Sequence, residues 1–276
     1  MHIYSSHKAS ETCIPIFVGV FIEGGVKDEV EIMKTFVAAA VCSLVGSAAF
    51  AQGHDWQYSL TTYIWASDTG VRAETPSGGT VETTLSFSDA LQDLDFAFAG
   101  TFEARKGRLS FFTDASYVKL STGNSTPGPA SNEVNVRTEM TFVSAFAAYR
   151  AYEAPAFAVD LAGGFRWTNL STDVEIIGGT LDGDDFVSGD TWIEPVVGVR
   201  MSAKLSEKLS AVVFADIGGF EQDSSTWQAL ATLNYALNDR WSLVGGYRYM
   251  EFERIVDGKD IQMDLSGIVL AATYKF

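Results

Sequence analysis

Three histidines, His2, His7 and His54, are the only imidazoles in the chain, and all precede the first strand-like segment at Trp56. A serine or aspartate nucleophile in the body of the chain would therefore lack the usual general base. Paired carboxylates are the remaining acid–base chemistry. Glu103, Asp114, Glu139, Asp160, Glu194, Asp216 and Asp264 are interspersed with Arg105, Arg137, Arg166, Arg200, Lys204, Arg248 and Lys275. A carboxylate beside a cation favours its charged form, the wrong bias for a general acid. Asp182, Asp184 and Asp185 around Gly183 offer oxygens of the kind a hard cation takes, but Asp-Gly turns in a solvated loop account for them. The glycine pairs at 78–79, 163–164, 178–179, 218–219 and 245–246 lack the Lys-Ser/Thr continuation of a phosphate loop and fit bends and turns instead. Cys13 and Cys42 both lie within the first 51 residues. The expectation is a non-enzymatic chain with no catalytic residue, no cofactor and no metal site.

The elements that must position these charges begin after an export signal. Lys34, the apolar run from Phe36 to Phe50 and the Ala49-Phe50-Ala51 box have the parts of a secretory signal cleaved after Ala51. Residues 1–32 form no recognisable module and fit a start codon placed too early, 33–51 are the signal, and 52–276 are the exported domain. The first 51 residues hold three lysines and five acids, so the net charge of −16 becomes −14 on a mature chain of about 225 residues without cysteine. Such acidity repels nucleic acid, and the missing thiols exclude disulfides.

From Trp56 onward the sequence alternates apolar and polar residues in ten segments. They run at about 56–66, 95–106, 108–121, 134–152, 157–172, 191–205, 208–220, 226–238, 240–254 and 261–276. Tight turns such as Lys106-Gly107 and Asn238-Asp239 alternate with long loops. The insert at 67–94 could add a hairpin and a helical SDALQDL turn beginning at Ser88, giving twelve strands; eight is the other alternative. In the last segment Ile268, Leu270, Ala272, Tyr274 and Phe276 share one face. The alternation is expected to slip at Ser266-Gly267 through a bulge, with Asp264 on the polar side.

The TYKF ending, the stretch WQALATLNYALNDRWSLVGGYRYMEF and the signal resemble the small outer-membrane β-barrel proteins of Gram-negative bacteria. That resemblance implies an all-β fold, a closed antiparallel transmembrane barrel of about ten strands, with turns facing the periplasm and loops outside. It also implies that Tyr274 and Phe276 form the signal read by the barrel-assembly machinery. The partners are then outer-membrane lipid and that machinery, and the location is the outer membrane. The enzymes among such barrels resemble one another in needing a catalytic histidine, which this body lacks.

Volume decides which face looks inward. A small barrel has room inside for only a few layers of side chains, so the many large apolar residues, among them Met140, Phe142 and Phe146, should face lipid. The fourteen charges named above should line the lumen, because Arg or Lys near mid-membrane on the lipid face costs about 2–4 kcal/mol. Seven acids against seven bases suit either a network that fills a structural barrel or the lining of a narrow porin-like channel. The alternative function is a surface-interaction protein acting through acidic loops. The alternative fold is a soluble lipocalin-like barrel.

Overall fold

The computed structural model describes residues 56–74, 80–125, 133–178, 186–220, 224–256 and 259–276. The extension, the signal segment, His54 and the Asp182–Asp185 loop lie outside them. Eleven strands and one short helix follow in order: β1 (Gln57–Glu74), β2 (Thr80–Leu85), α1 (Phe87–Gln92), β3 (Leu94–Lys106), β4 (Leu109–Ser125), β5 (Glu133–Ala154), β6 (Phe157–Ile177), β7 (Phe186–Lys204), β8 (Leu209–Gly218), β9 (Ser224–Ala236), β10 (Trp241–Val256) and β11 (Lys259–Lys275). All pairings are antiparallel, and β11 returns to β1 from Ser59↔Lys275 to Ala73↔Ile261. Closure pairs the terminal strands that an open sheet would leave bare, although β1 and β3 pair with each other only from Gln57 to Thr62.

The closed ring has ten strands, since β2 pairs only with β1, over Thr69–Glu74. The twelve-strand and eight-strand alternatives are thereby set aside. Within the insert the helix starts earlier than expected. Ser86, not Ser88, is its N-cap, accepting from the Asp89 amide through its hydroxyl at 3.2 Å. Several strands outrun the roughly 9–11 residues that a bilayer needs; β5 has 22 and β6 has 21. The tight β3–β4 turn uses Gly107 at φ 55°, a conformation that costs glycine little.

Two expectations about strand faces are corrected. In β5 the even positions point inward: Met140 (8% exposed), Phe142 (4%) and Phe146 (4%) belong to the core, while Arg137 is exposed and Glu139 shares its outward face. Apolar content misleads there, because β5 carries apolar residues on both faces and its inner ones fill space beside a shrunken partner, Gly164, opposite Phe146. In β11 there is no bulge at Ser266-Gly267; the register with β1 and β10 runs through without a shift. Met263, Leu265, Gly267 and Val269 all face inward, so Asp264 faces outward, against Gly70. Gly267 is needed for another reason: a Cβ there would collide with the Ala66 carbonyl of β1. The described bulges lie elsewhere, at Asp95 between β3 and β4 and at Ala151 between β5 and β6.

Candidate functional site: a layered lumen

The interior repeats one order of side chains on strand after strand, read from the turn end upward. On β4 it is Ser110, Phe112, Asp114, Ser116, Val118, Leu120; on β6 it is Asp160, Ala162, Gly164, Arg166, Thr168, Leu170. Because side chains alternate along a strand, antiparallel neighbours in fixed register stack these positions into layers. A charged layer, an apolar layer, a second charged layer and a second apolar layer result.

The lower charged layer centres on Asp160, 1% exposed. It accepts from Arg105 Nη2 at 2.9 Å, Arg150 Nε at 2.8 Å and Arg200 Nη2 at 3.0 Å. Glu103 joins the same arginines, at 3.0 Å from Arg105 and 2.9 Å from Arg200. The Ser110 hydroxyl accepts from both guanidinium groups. Above it Phe112, Phe146 and Phe214 pack with ring centroids 4.9–5.6 Å apart, joined by Ala148, Ala162 and Val196. Arg200 lies 4.9 Å from the Phe112 ring centroid, so the charged layer is stacked on the apolar one.

The upper charged layer is a hydrogen-bonded chain across the lumen. Arg166 donates from Nε to Ser144 at 3.1 Å, from Nη1 to Thr226 at 2.7 Å and from Nη2 to Asp216 at 2.7 Å. Gln228 Nε2 donates to Asp216, and Gln228 Oε1 accepts from Arg248 at 2.8 and 3.1 Å. Arg248 then meets Asp114 at 3.0 Å and Tyr63 Oη at 2.9 Å, and Tyr63 and Thr101 both donate to Asp114. Glu194 accepts from Ser224 at the same level. With both side chains of the Arg166–Asp216 pair at 0% exposure, the charges survive burial only because each guanidinium and carboxylate has several partners. Over this layer Leu120, Met140, Phe142, Met250, Phe252, Met263 and Leu265 form a plug, with Trp65, Leu85 and Ala90 packed against it. Arg254 and Asp190, 3.0 Å apart, cap it, and Arg254 lies 5.0 Å from the Trp192 ring centroid.

Of the fourteen charges expected to line the lumen, the structure turns eleven inward. Glu103, Arg105, Asp114, Asp160, Arg166, Glu194, Arg200, Asp216 and Arg248 fall in the two layers, and Lys204 and Lys275 stand at the turn-end mouth. Arg137, Glu139 and Asp264 are outside, with Glu139 3.7 Å from Lys119. Sequence reasoning missed Arg150, Asp190 and Arg254. The signal for Arg150 was its two-residue spacing from Ala148, Phe146 and Ser144, hidden once β5 had been read inside out. It also missed the two apolar layers within the lumen.

Below the plug the lumen is not full. A cavity of about 300 Å³ is lined by the polar side chains of Thr61, Tyr63, Thr101 and Arg248 together with Val212, Leu230, Val244 and Val269. It shares Ser202, Val212, Asn234 and Thr273 with a mouth of about 550 Å³ at the turn end.

Ile193 (63% exposed), Leu161 (54%), Ile217, Leu233, Leu243, Ile268 and Leu270 (62%) form an apolar belt. Aromatic pairs mark its turn-side rim, with Trp241–Tyr274 centroids 4.9 Å apart and Tyr274–Phe276 5.1 Å apart, and the Phe276 amide donates to the Tyr58 carbonyl at 3.1 Å. A closed ring with apolar residues outside and buried ions inside decides the fold class. This is the architecture of a closed, ten-stranded antiparallel transmembrane β-barrel. No helix among the described residues is long and apolar enough to cross a membrane.

No family model and no curated protein matches the barrel. Solved structures do. The outer membrane protease OmpT of Escherichia coli is 9% identical with a TM-score of 0.47, over 82% of this chain and 98% of that one. The translocator domain of the autotransporter NalP of Neisseria meningitidis is 12% identical with a TM-score of 0.38, over 90% and 98%. Neisserial surface protein A is 16% identical with a TM-score of 0.31, over 80% and 97%. At these values none of them bears on what the barrel does; its fold class rests on its own geometry.

Proposed function

We propose that the protein is an integral barrel of a bacterial outer membrane, exported by a cleaved signal, that serves as a closed, non-conducting and non-enzymatic structural element. The observation that carries this reading is the plug across the upper lumen, where Met250 (0% exposed), Phe252 (5%), Met263 (5%) and Leu265 (4%) pack together. An open pore would leave such inward side chains wet. The apolar belt supports the membrane location, since only lipid tolerates that much outward hydrocarbon on a closed barrel. Tyr274 and Phe276 are read as the signal for a barrel-assembly machinery, a reading supported by their position on the outer face of the turn-side rim. Non-enzymatic character is supported by the sequence, whose histidines all precede Trp56.

Reconstitution into planar bilayers tests this. The expected result is a barrel that shifts mobility on boiling, as a folded outer-membrane barrel does, yet gives no stable current steps. Reproducible unitary conductance from the same folded sample would replace the structural reading with the narrow channel.

A further inference from the structure

The wall of the barrel has one incomplete seam. β3 pairs with β1 only over Gln57–Thr62, opposite Gly100–Arg105, and β2 takes over that side of β1 from Thr69 upward. Between these ladders Tyr63–Asp68 of β1 and Leu94–Ala99 of β3 have no strand partner across the seam, although each is paired on its other side, with β11 and β4. Six residues at about 3.3 Å each make an opening about 20 Å tall along the strands. The Thr62–Gly100 pair forms its sill. The α1 turn forms its lintel, held by the Phe87 amide donating to Asp68 Oδ1 at 2.7 Å.

Side chains leave the opening unfilled. Ala97 and Ala99 are inward positions of β3, yet Ala97 is exposed, whereas the inward alanines Ala148 and Ala162 in the sealed wall are 2% and 8% exposed. Ile64 (67% exposed), Phe96 (56%) and Phe98 (44%) flank the opening outside, and Trp65 stands behind it, 4.7 Å from the Arg248 guanidinium carbon. The opening lies at the depth of the apolar belt, because Ile64 and Ala66 pair with Leu270 and Ile268, two of the belt's most exposed residues. Its upper end is polar, with Ser67, Asp68 and the Asp95–Ser121 pair. Bare strand edges are costly in pure hydrocarbon, so the opening suits an occupant that is apolar below and hydrogen-bonding above.

We infer that this window is a binding site for one acyl chain of a membrane lipid, entering sideways from the belt, with its tail against Ile64, Ala97, Phe98 and Ala99 and its polar end at Ser67, Asp68 and Asp95. The inference rests on the membrane location proposed above. A headgroup with hydroxyl, amide or ammonium donors fits the acidic upper end better than a bare phosphate.

Two single-tryptophan versions of the protein test it, one keeping Trp65 and one keeping Trp241, with the other tryptophans changed to Phe, in vesicles of phosphatidylcholine with brominated acyl chains. Quenching of both is expected, and Ala97→Phe should abolish quenching of Trp65 while leaving that of Trp241. Quenching of Trp241 alone, or Trp65 quenching that survives Ala97→Phe, overturns the window. Absence of quenching at Trp241 in folded barrels overturns the membrane location, and the window with it. Should Ala97→Phe fail to fold, the unaltered protein answers with a photoactivatable acyl chain: adducts on Ala97 or Ala99 support the site, and adducts confined to Phe96 and Phe98 overturn it.

Discussion

Arg166 shows how much a single side chain can commit in a lumen this tight. Its three donors go to Ser144, Asp216 and Thr226, and neither it nor Asp216 meets solvent. Breaking such a pair by removing one partner typically costs about 3–5 kcal/mol, because the remaining charge is left buried without compensation. Arg166→Met is therefore expected to lower unfolding free energy by about that amount in urea titrations of refolded barrel. Adding Asp216→Leu should return much of the loss, since replacing both ions removes the orphaned charge. If the double substitution is as damaging as the sum of the singles, the two residues do not act as a pair. Asp160 differs in being shared among Arg105, Arg150 and Arg200, so no single one of those arginines leaves it without a cation.

At the scale of the strand, β5 separates what a pattern can reveal from what it cannot. An alternating segment announces two faces, but the rule that bulk points outward works only where the inner face is small and polar. β5 has Met140, Phe142 and Phe146 inside and Tyr149 outside, so counting apolar residues chooses the wrong side. Ala147 is exposed on the belt, and Ala147→Arg is expected to cost about 2–4 kcal/mol as a cation placed against acyl chains. Denaturant unfolding in vesicles measures it, and a neutral effect would return β5 to the opposite orientation. β11 was legible where it faces the belt, through Ile268, Leu270 and Tyr274. It was misread above Ser266, where apolar Met263 and Leu265 turn into the plug and mimic a slipped register. The incomplete β1–β3 ladder left no trace in composition, because pairing is a property of two strands and periodicity describes one.

For the whole molecule, strand number, closure and the outward belt were all legible, since each is a sum over many residues and tolerates a few misread ones. The stacking of charged and apolar layers was not, as it depends on register between neighbours. Those layers divide the lumen into an upper half sealed by Met250 and Phe252 and a lower half entered from the turn end past Asn234 and Lys275. In protein freed of Cys13 and Cys42, Asn234→Cys should react with a water-soluble maleimide, and Met250→Cys should resist it until the barrel is unfolded. Rapid labelling of the second site in folded protein would mean that water traverses the plug. The layering also bears on how the barrel is put together. Sliding any one strand by a single residue turns its buried ions toward lipid and its belt residues into the lumen, so for β6 a slip would set Asp160 and Arg166 among acyl chains. The interior thus acts as a combination lock during assembly, one that admits only the alignment in which the buried ions of β3 to β8 and β10 fall on the same two levels.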